Sequence, residues 1–281
     1  MSKVIDGKAI ANQIRHTIKE EVSALKTQHS LVPGLCVILV GDDPASKIYV
    51  RNKERACKEV GINSTVIRMD EQVAEKELLD TIERLNQDDN VHGILVQLPL
   101  PRHINKDAVI NAIHPAKDVD GFHPINSGML MAGQAEFEPC TPKGIIRLIE
   151  ETDESIAGKR AVVIGRSNIV GKPVAIMLLQ RHATITIAHS RTRNLAEIAR
   201  TADILVVAIG KPQFVDASFI KEGAIVIDVG ITRVNGSLMG DVKFEEVEKK
   251  AGYITPVPGG VGPMTITMLL ENTLIAAKRN I

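Results

Sequence analysis

Apolar positions along this chain switch repeatedly between a helical period and short unbroken runs, and that alternation predicts the architecture. Residues 8–26 place Ile10, Ile14, Ile18, Val22 and Leu25 on one helix face. Residues 35–40 form an apolar run of strand length, followed by the turn Gly41-Asp42-Asp43-Pro44 and a helical pattern over 45–59. Residues 64–69 predict a second strand, and 75–87 a helix with Leu78, Leu79, Ile82 and Leu85 on one stripe. Residues 93–98 predict a third strand, ended by Pro99-Leu100-Pro101. The same rhythm returns later, with strands at 161–164, 184–188, 204–209 and 224–229, a short one at 253–256, and helical patterns between them. Residues 264–278 predict a final helix, with Ile266, Leu269, Leu270, Thr273 and Ala277 on one face.

Strands alternating with helices imply βαβ units and mainly parallel sheets, an α/β fold. Residues 118–142, rich in Gly and Pro and without a clear period, read as the connection between two domains. Pro142 then starts a bridging helix over 143–150. No internal repeat is evident, although the halves share an architecture.

Composition narrows the function classes. At 281 residues the chain is long enough for two domains of ordinary size. Lys+Arg and Asp+Glu are equal at 34 each, so no overall basic field attracts nucleic acid. The absence of Trp and the presence of only two Tyr weaken a base-stacking role as well. Cys36, Cys57 and Cys140 are widely separated, without metal-ligand or CxxC spacing, and read as reduced structural thiols. Apolar runs are strand-sized and no leader pattern opens the chain, so the expectation is a cytoplasmic protein without membrane spans.

Candidate chemistry begins at Ala161-Val162-Val163-Ile164-Gly165-Arg166-Ser167-Asn168-Ile169-Val170-Gly171-Lys172-Pro173. A buried strand, a Gly turn and a helix start can set main-chain N–H groups under a phosphate. Ser167 stands where the common fingerprint has its second Gly, so the letters also fit an ordinary glycine turn. The next strand ends in His189-Ser190-Arg191-Thr192-Arg193 with no acid to bind a ribose hydroxyl. With Arg166 in the turn, this favours the 2′-phosphate of NADP over NAD.

Tyr49 and Lys53 are four apart on a helix and share a face. They are either an ordinary exposed pair or a ring-binding group beside an amine whose pKa burial lowers into the range of proton transfer. Gln97 closes the third strand, where open α/β sheets bind ligands. Asp118 and Asp120, in Lys117-Asp118-Val119-Asp120-Gly121-Phe122, could ligate a metal, bond a polar heterocycle or shape a turn; with no third ligand nearby, a metal is disfavoured. Pro258-Gly259-Gly260-Val261-Gly262-Pro263 is either a loop that lets main chain approach a ligand or a structural turn.

Together these stretches resemble the bifunctional methylenetetrahydrofolate dehydrogenase/methenyltetrahydrofolate cyclohydrolase family over essentially the whole chain. The resemblance rests on Pro44-Ala45-Ser46 with Tyr49 and Lys53, on Val96-Gln97-Leu98-Pro99-Leu100-Pro101, on residues 117–122 and 165–173, and on residues 256–265. It implies two α/β domains with a cleft between them, the second a Rossmann-like doubly wound parallel sheet. Residues 1–138 and 266–281 would form the folate-binding catalytic domain and 139–265 the NADP-binding domain, with the C-terminal helix packed on the first and a homodimer overall. The implied activity, part of one-carbon metabolism, is NADP-dependent oxidation of 5,10-methylenetetrahydrofolate to the methenyl form, then hydrolysis to 10-formyltetrahydrofolate, without a metal.

Residue by residue, Tyr49 would stack on the aminobenzoyl ring, Lys53 would be the catalytic amine tuned by Gln97, and Asp120 would bond the pterin. Val96 and Leu98 would line the folate, and Pro258, Gly259, Gly260, Val261, Gly262, Pro263 and Thr265 both folate and nicotinamide. Gly165, Arg166, Ser167 and Ser190 would hold NADP, with Ile231 near its nicotinamide end. The alternatives are a monofunctional dehydrogenase of the same family, which would accumulate the methenyl product, and a non-catalytic NADP-binding module.

Overall fold

The computed structural model describes residues 2–279 and 281. In chain order the elements are β1 (Lys3–Val4), α1 (Gly7–His29), β2 (Gly34–Val40), α2 (Pro44–Val60), β3 (Asn63–Met69), α3 (Glu75–Asn86), β4 (Gly93–Val96), α4 (Lys106–Ala112) and α5 (Pro124–Met131). They continue with α6 (Cys140–Glu150), β5 (Arg160–Ile164), α7 (Gly171–Gln180), β6 (Thr184–Ala188), α8 (Leu195–Ala199), β7 (Ile204–Val207) and β8 (Ile225–Asp228). The last are β9 (Thr232–Val234), β10 (Ser237–Met239), α9 (Phe244–Val247), β11 (Tyr253–Ile254) and α10 (Val261–Lys278).

The chain divides into two compact units, Gln13–Cys140 with Ile266–Ile281, and Met1–Asn12 with Thr141–Thr265. The first holds a three-stranded parallel sheet in the order β3-β2-β4. Every residue of β2 is buried, as expected of a central strand covered on both faces. Its core gathers Ile38, Val40, Leu78, Ile82, Ile94 and Val109 from strands and helices that are far apart in sequence. Strand order reverses about β2, so the loops leaving β2 and β4 diverge, which is where open α/β sheets take ligands.

The second unit is a six-stranded, wholly parallel sheet in the order β1-β11-β8-β7-β5-β6. Here the reversal lies between β5 and β7, beside the turn that follows Ile164. Val162, Ile164, Leu205, Val207, Val226 and Ile254 lead its core. The antiparallel hairpin β9–β10 follows β8.

Four expectations need correction. Residues 2–12 group with the second unit, not with the first 138 residues, because β1 pairs in parallel with β11 (Lys3 with Tyr253, Val4 with Ile254). A two-residue strand is invisible to a periodicity argument. Met1 and Asn280, at the ends of the expected ranges, lie outside the described residues. The stretch 118–142 is not a plain connection: α5 lies within it, started by Pro124 and by the His123 side chain, whose Nδ1 accepts from Ile125 N. The helix α10 begins at Val261, so Val261, Gly262 and Pro263 are its first turn rather than loop. It is also not one-faced, since Met264, Thr267, Met268, Asn272, Leu274 and Ala276 are buried along with the expected stripe. A helix apolar on all sides is one packed on all sides.

Candidate active site

In the first unit, α2 is started by Asp43, whose Oδ2 accepts from Ser46 N at 2.7 Å, and by Pro44 at its first position. Its buried stripe reads Ser46, Val50, Lys53, Ala56, Cys57, Val60. Lys53 thus occupies a core position of an otherwise apolar and small-residue face, with 8% of its surface exposed. Lysine is among the residues least often buried without a partner. The partner is Gln97: Lys53 Nζ donates to Gln97 Oε1 at 2.9 Å, and Gln97 Nε2 donates to Leu98 O at 2.7 Å, which fixes which end of the amide faces the amine. Burial lowers the Lys53 pKa, opposed by the negative field of Asp120. Tyr49, one turn earlier on α2, is half-buried, and burial raises its hydroxyl pKa.

Asp120 arrives from a tightly built turn. Asp118, only 2% exposed, accepts from Phe122 N (3.2 Å), His123 N (2.8 Å) and Asn126 Nδ2 (2.8 Å). Those bonds consume its carboxylate in shaping the turn, the structural one of its candidate roles. Gly121 has φ 74°, and a Cβ there would lie 2.9 Å from Pro139 N. The Val119 carbonyl accepts from Asn272 Nδ2 on α10 (2.8 Å) and from the Cys140 thiol (3.3 Å). The Asp120 carboxyl is raised by burial, opposed by the Lys53 charge and reinforced by Asp118. Lys53 and Asp120 are therefore both pushed toward their neutral forms, each restrained by the other, the pattern of groups poised to exchange protons.

Val96, Leu98, Asp120 and Phe122 line one small cavity. A larger cavity of about 530 Å³ lies along β3 and α3, lined by Arg68, Asp70, Glu77 and Arg84, and none of the expected site residues borders it.

In the second unit, the turn after β5 is shaped by two glycines. Gly165 has φ 130°, and a Cβ there would sit 2.3 Å from Ala208 O; a Cβ on Gly171 would sit 2.3 Å from Gly165 O. The turn therefore closes against the end of β7, at the reversal of strand order. Ser167 takes part as a cap: its Oγ accepts from Val170 N (3.1 Å) and Gly171 N (3.3 Å) at the start of α7. Arg166 and Ser167 are exposed, as are Ser190, Arg191 and Arg193 beyond the end of edge strand β6. Glycine-shaped main chain at a helix N-terminus, exposed guanidinium groups and no acid at the end of β6 fit a 2′-phosphorylated dinucleotide.

Ile231 is 44% exposed and its Cδ1 faces Gly262, where a Cβ would be 3.9 Å away. Gly260 O presses against Gly7, where a Cβ would approach to 2.0 Å. The Thr265 hydroxyl pairs with Thr141 Oγ1 at 3.0 Å. Among the described residues, no group of three or more His, Cys, Asp or Glu is placed to hold a metal, and no helix is long and apolar enough to cross a membrane.

Each unit thus gathers its own set: Tyr49, Lys53, Val96, Gln97, Leu98 and Asp120 in one, Gly165, Arg166, Ser167, Ser190, Ile231 and residues 258–265 in the other. Motif reading missed Asn272, which holds the Val119 carbonyl of the turn that carries Asp120. Its only sequence signal is a polar letter in the mainly apolar stretch 264–277.

Known proteins give the same outline. Residues 5–120 match the model of the tetrahydrofolate dehydrogenase/cyclohydrolase catalytic domain, and residues 139–281 that of the NAD(P)-binding domain of the same family. The bifunctional protein FolD of Halalkalibacterium halodurans is 58% identical over 275 residues, covering 98% of each chain. The crystal structure of bifunctional FolD from Campylobacter jejuni superposes with a TM-score of 0.97 at 51% identity, covering all of both chains. That of the Trypanosoma brucei dehydrogenase-cyclohydrolase, complexed with NADP cofactor and inhibitor, gives 0.95 at 42% identity, covering 99% of this chain and 98% of that one. This chain belongs to the tetrahydrofolate dehydrogenase/cyclohydrolase family.

Proposed function

We propose that the protein oxidises 5,10-methylenetetrahydrofolate with NADP⁺ to the methenyl form and hydrolyses that product to 10-formyltetrahydrofolate. The observation that carries this reading is the hydrogen bond from buried Lys53 to Gln97 in the electrostatic reach of Asp120. An amine that burial biases toward its neutral form, held at 2.9 Å by an oriented amide, is the group cyclohydrolysis requires. Lys53 Nζ takes the proton of the water that adds to the methenyl carbon and returns it as the bridge opens. Gln97 keeps the amine aimed and its lone pair available. Asp120 bonds the polar edge of the pterin, Tyr49 stacks on the aminobenzoyl ring, and Val96 and Leu98 pack against the folate.

NADP⁺ supplies a hydride acceptor. Gly165, Arg166, Ser167 and Ser190 would hold NADP, Ile231 would lie near its nicotinamide end, and residues 258–265 would line both folate and nicotinamide, contributing alignment rather than acid–base chemistry. The domain roles follow, folate-binding for the unit of Lys53 and NADP-binding for the unit of Gly165. The equal charge balance speaks against nucleic-acid partners. Three buried thiols suit the reducing cytoplasm. The open edge of β3 offers a pairing surface to a second copy and supports a homodimeric assembly.

One assay tests the reaction: purified protein with methylenetetrahydrofolate and NADP⁺ or NAD⁺, following reduced nucleotide and methenyl product separately. The expected result is NADPH formation without build-up of the methenyl product. Build-up would leave a monofunctional dehydrogenase, and equal use of NAD⁺ would remove the role given to Arg166 and Ser190.

A further inference from the structure

Two buried carboxylates in the second unit lie outside the machinery described above. Asp241 is 0% exposed and Asp228 3%. Five main-chain N–H groups hold them. Asp241 Oδ2 accepts from Ile209 N (2.7 Å) and Gly210 N (2.9 Å). Asp228 Oδ1 accepts from Gly230 N (3.0 Å) and Asp241 N (2.9 Å), and its Oδ2 from Val242 N (2.9 Å). The Asp228 N–H donates to Thr255 Oγ1 at 2.8 Å. Glycines make room for both side chains: a Cβ on Gly230 would sit 2.3 Å from Asp241 Oδ1, and one on Gly240 1.9 Å from Asp228 Oδ2.

The pair therefore ties together four segments: the loop leaving β7 at 209–210, the loop leaving β8 at 229–231, the end of the β9–β10 hairpin at 240–242, and Thr255, which opens the loop 256–260. Three of these leave the C-terminal ends of parallel strands, where such sheets bind ligands. One carries Ile231 and another runs into residues 258–260. Burying two like charges side by side is expensive. An apolar pair would pack the same space, but only acceptors of this shape can gather five N–H groups from separate loops.

We propose that Asp228 and Asp241 are positioning residues that fix the loops bounding the nicotinamide end of the cofactor site. The proposal rests on the NADP-dependent dehydrogenase reading above. It distinguishes the two carboxylates. In Asp241→Asn the amide oxygen can still accept from Ile209 and Gly210, since both bonds converge on one atom. In Asp228→Asn the acceptors needed are two, and the amide NH₂ would face the Val242 N–H donor to donor.

The experiment compares the parent enzyme with D241N, D241A and D228N. It measures NADPH affinity by fluorescence titration, kcat and KM for NADP⁺ in the dehydrogenase reaction, and hydrolysis of methenyltetrahydrofolate without nucleotide. D241A and D228N are expected to weaken NADPH binding and raise KM for NADP⁺ about tenfold, the effect of stranding buried N–H donors. D241N is expected to stay within about threefold of the parent, because its bonds survive. Cyclohydrolase activity, which needs no nucleotide, is expected to persist in all three.

Parallel loss of both activities, or unchanged NADPH affinity in D241A, would overturn the proposal. Should D241A fail to fold, the contrast between D228N and D241N decides it, and equal effects overturn it. A parent that binds no NADPH brings down the functional reading and this role with it; a parent that binds and turns over leaves only the pair to be judged.

Discussion

Replacing Gln97 by Glu and by Leu should move the cyclohydrolase pH profile in opposite directions. Gln97 Oε1 lies 2.9 Å from Lys53 Nζ and accepts its hydrogen bond. A full negative charge at that distance, at an effective permittivity near 20, attracts the ammonium by about 6 kcal/mol. Gln97 is only half-buried, so solvent screening reduces the net effect to about 2 kcal/mol, or about 1.5 pK units. Gln97→Glu therefore holds Lys53 protonated to higher pH. The acidic limb of the profile, where Lys53 must lose its proton to act, shifts up by about 1 to 2 units. Gln97→Leu removes a charge-assisted acceptor, which favours the neutral amine, and shifts the same limb down by about 1 unit. The assay follows loss of the methenyl chromophore across pH, with the uncatalysed hydrolysis subtracted at each point. Limbs that stay fixed, or that move the same way in both variants, would refute Lys53 as the titrating base.

Three further outcomes follow from the geometry. Burial lifts the Asp228 carboxyl to about 6; a raised carboxyl pKa gives stability that is present below the unfolded value near 3.8 and lost as pH rises through 6. Chemical denaturation at pH 7 and pH 4 should therefore show the parent gaining about 2 to 3 kcal/mol over D228N on acidification, and a constant gap would disprove it. In Gly165→Ala the new methyl meets Ala208 O at 2.3 Å, with a backbone angle only glycine adopts easily. Loss of NADPH binding together with about 1 to 3 kcal/mol of stability is expected, checked by titration and melting. In Asn272→Leu the carbonyls of Val119 and Glu138 lose donors at 2.8 and 3.0 Å. Folate affinity should then fall while NADPH affinity holds, and equal losses would make Asn272 a general packing residue.

How far the sequence could be read depended on the range of the interactions involved. Strand β6 was expected over 184–188 and observed there, because five residues of the second βαβ unit carry their own local pattern. Lys53 was legible in two ways, by its spacing from Tyr49 and by its place among Val50, Ala56 and Val60, where a lysine breaks an apolar stripe. Its partner Gln97 is 44 residues away, and no periodicity links an amide at the end of β4 to an amine on α2. The two-residue strand β1 depends wholly on β11, some 250 residues later, and local patterning cannot report such a pairing. Helix α5 escaped notice because it is short and starts from a His and a Pro rather than from a Ser, Thr or Asp signal. The carboxylates at 228 and 241 are bonded to main-chain N–H groups, which every residue but proline has, so their partners leave no letter in the sequence.

The two units solve a common problem with opposite charges. Each keeps ionisable side chains out of water at the C-terminal ends of parallel strands, where the sheet itself offers no compensation because its own N–H and C=O groups are already paired. In the first unit the buried amine has one amide partner and a nearby carboxylate, and burial biases it toward its neutral form, so its proton stays exchangeable. In the second the buried anions accept five main-chain N–H groups between them, and what they hold is backbone. Under the roles proposed for Lys53 and for the Asp228–Asp241 pair, the difference follows from what each reaction needs. Hydrolysis requires a group whose protonation changes during turnover, and a saturated charge cannot provide it. Hydride transfer requires two rings held in fixed alignment and moves no proton through the protein, so there a buried charge serves best by immobilising the loops around it. The destabilising burial of charge is thus confined to the strand ends, and the apolar cores beneath them, led by Ile38 and Ile94 in one sheet and Val162 and Val226 in the other, are what make it tolerable.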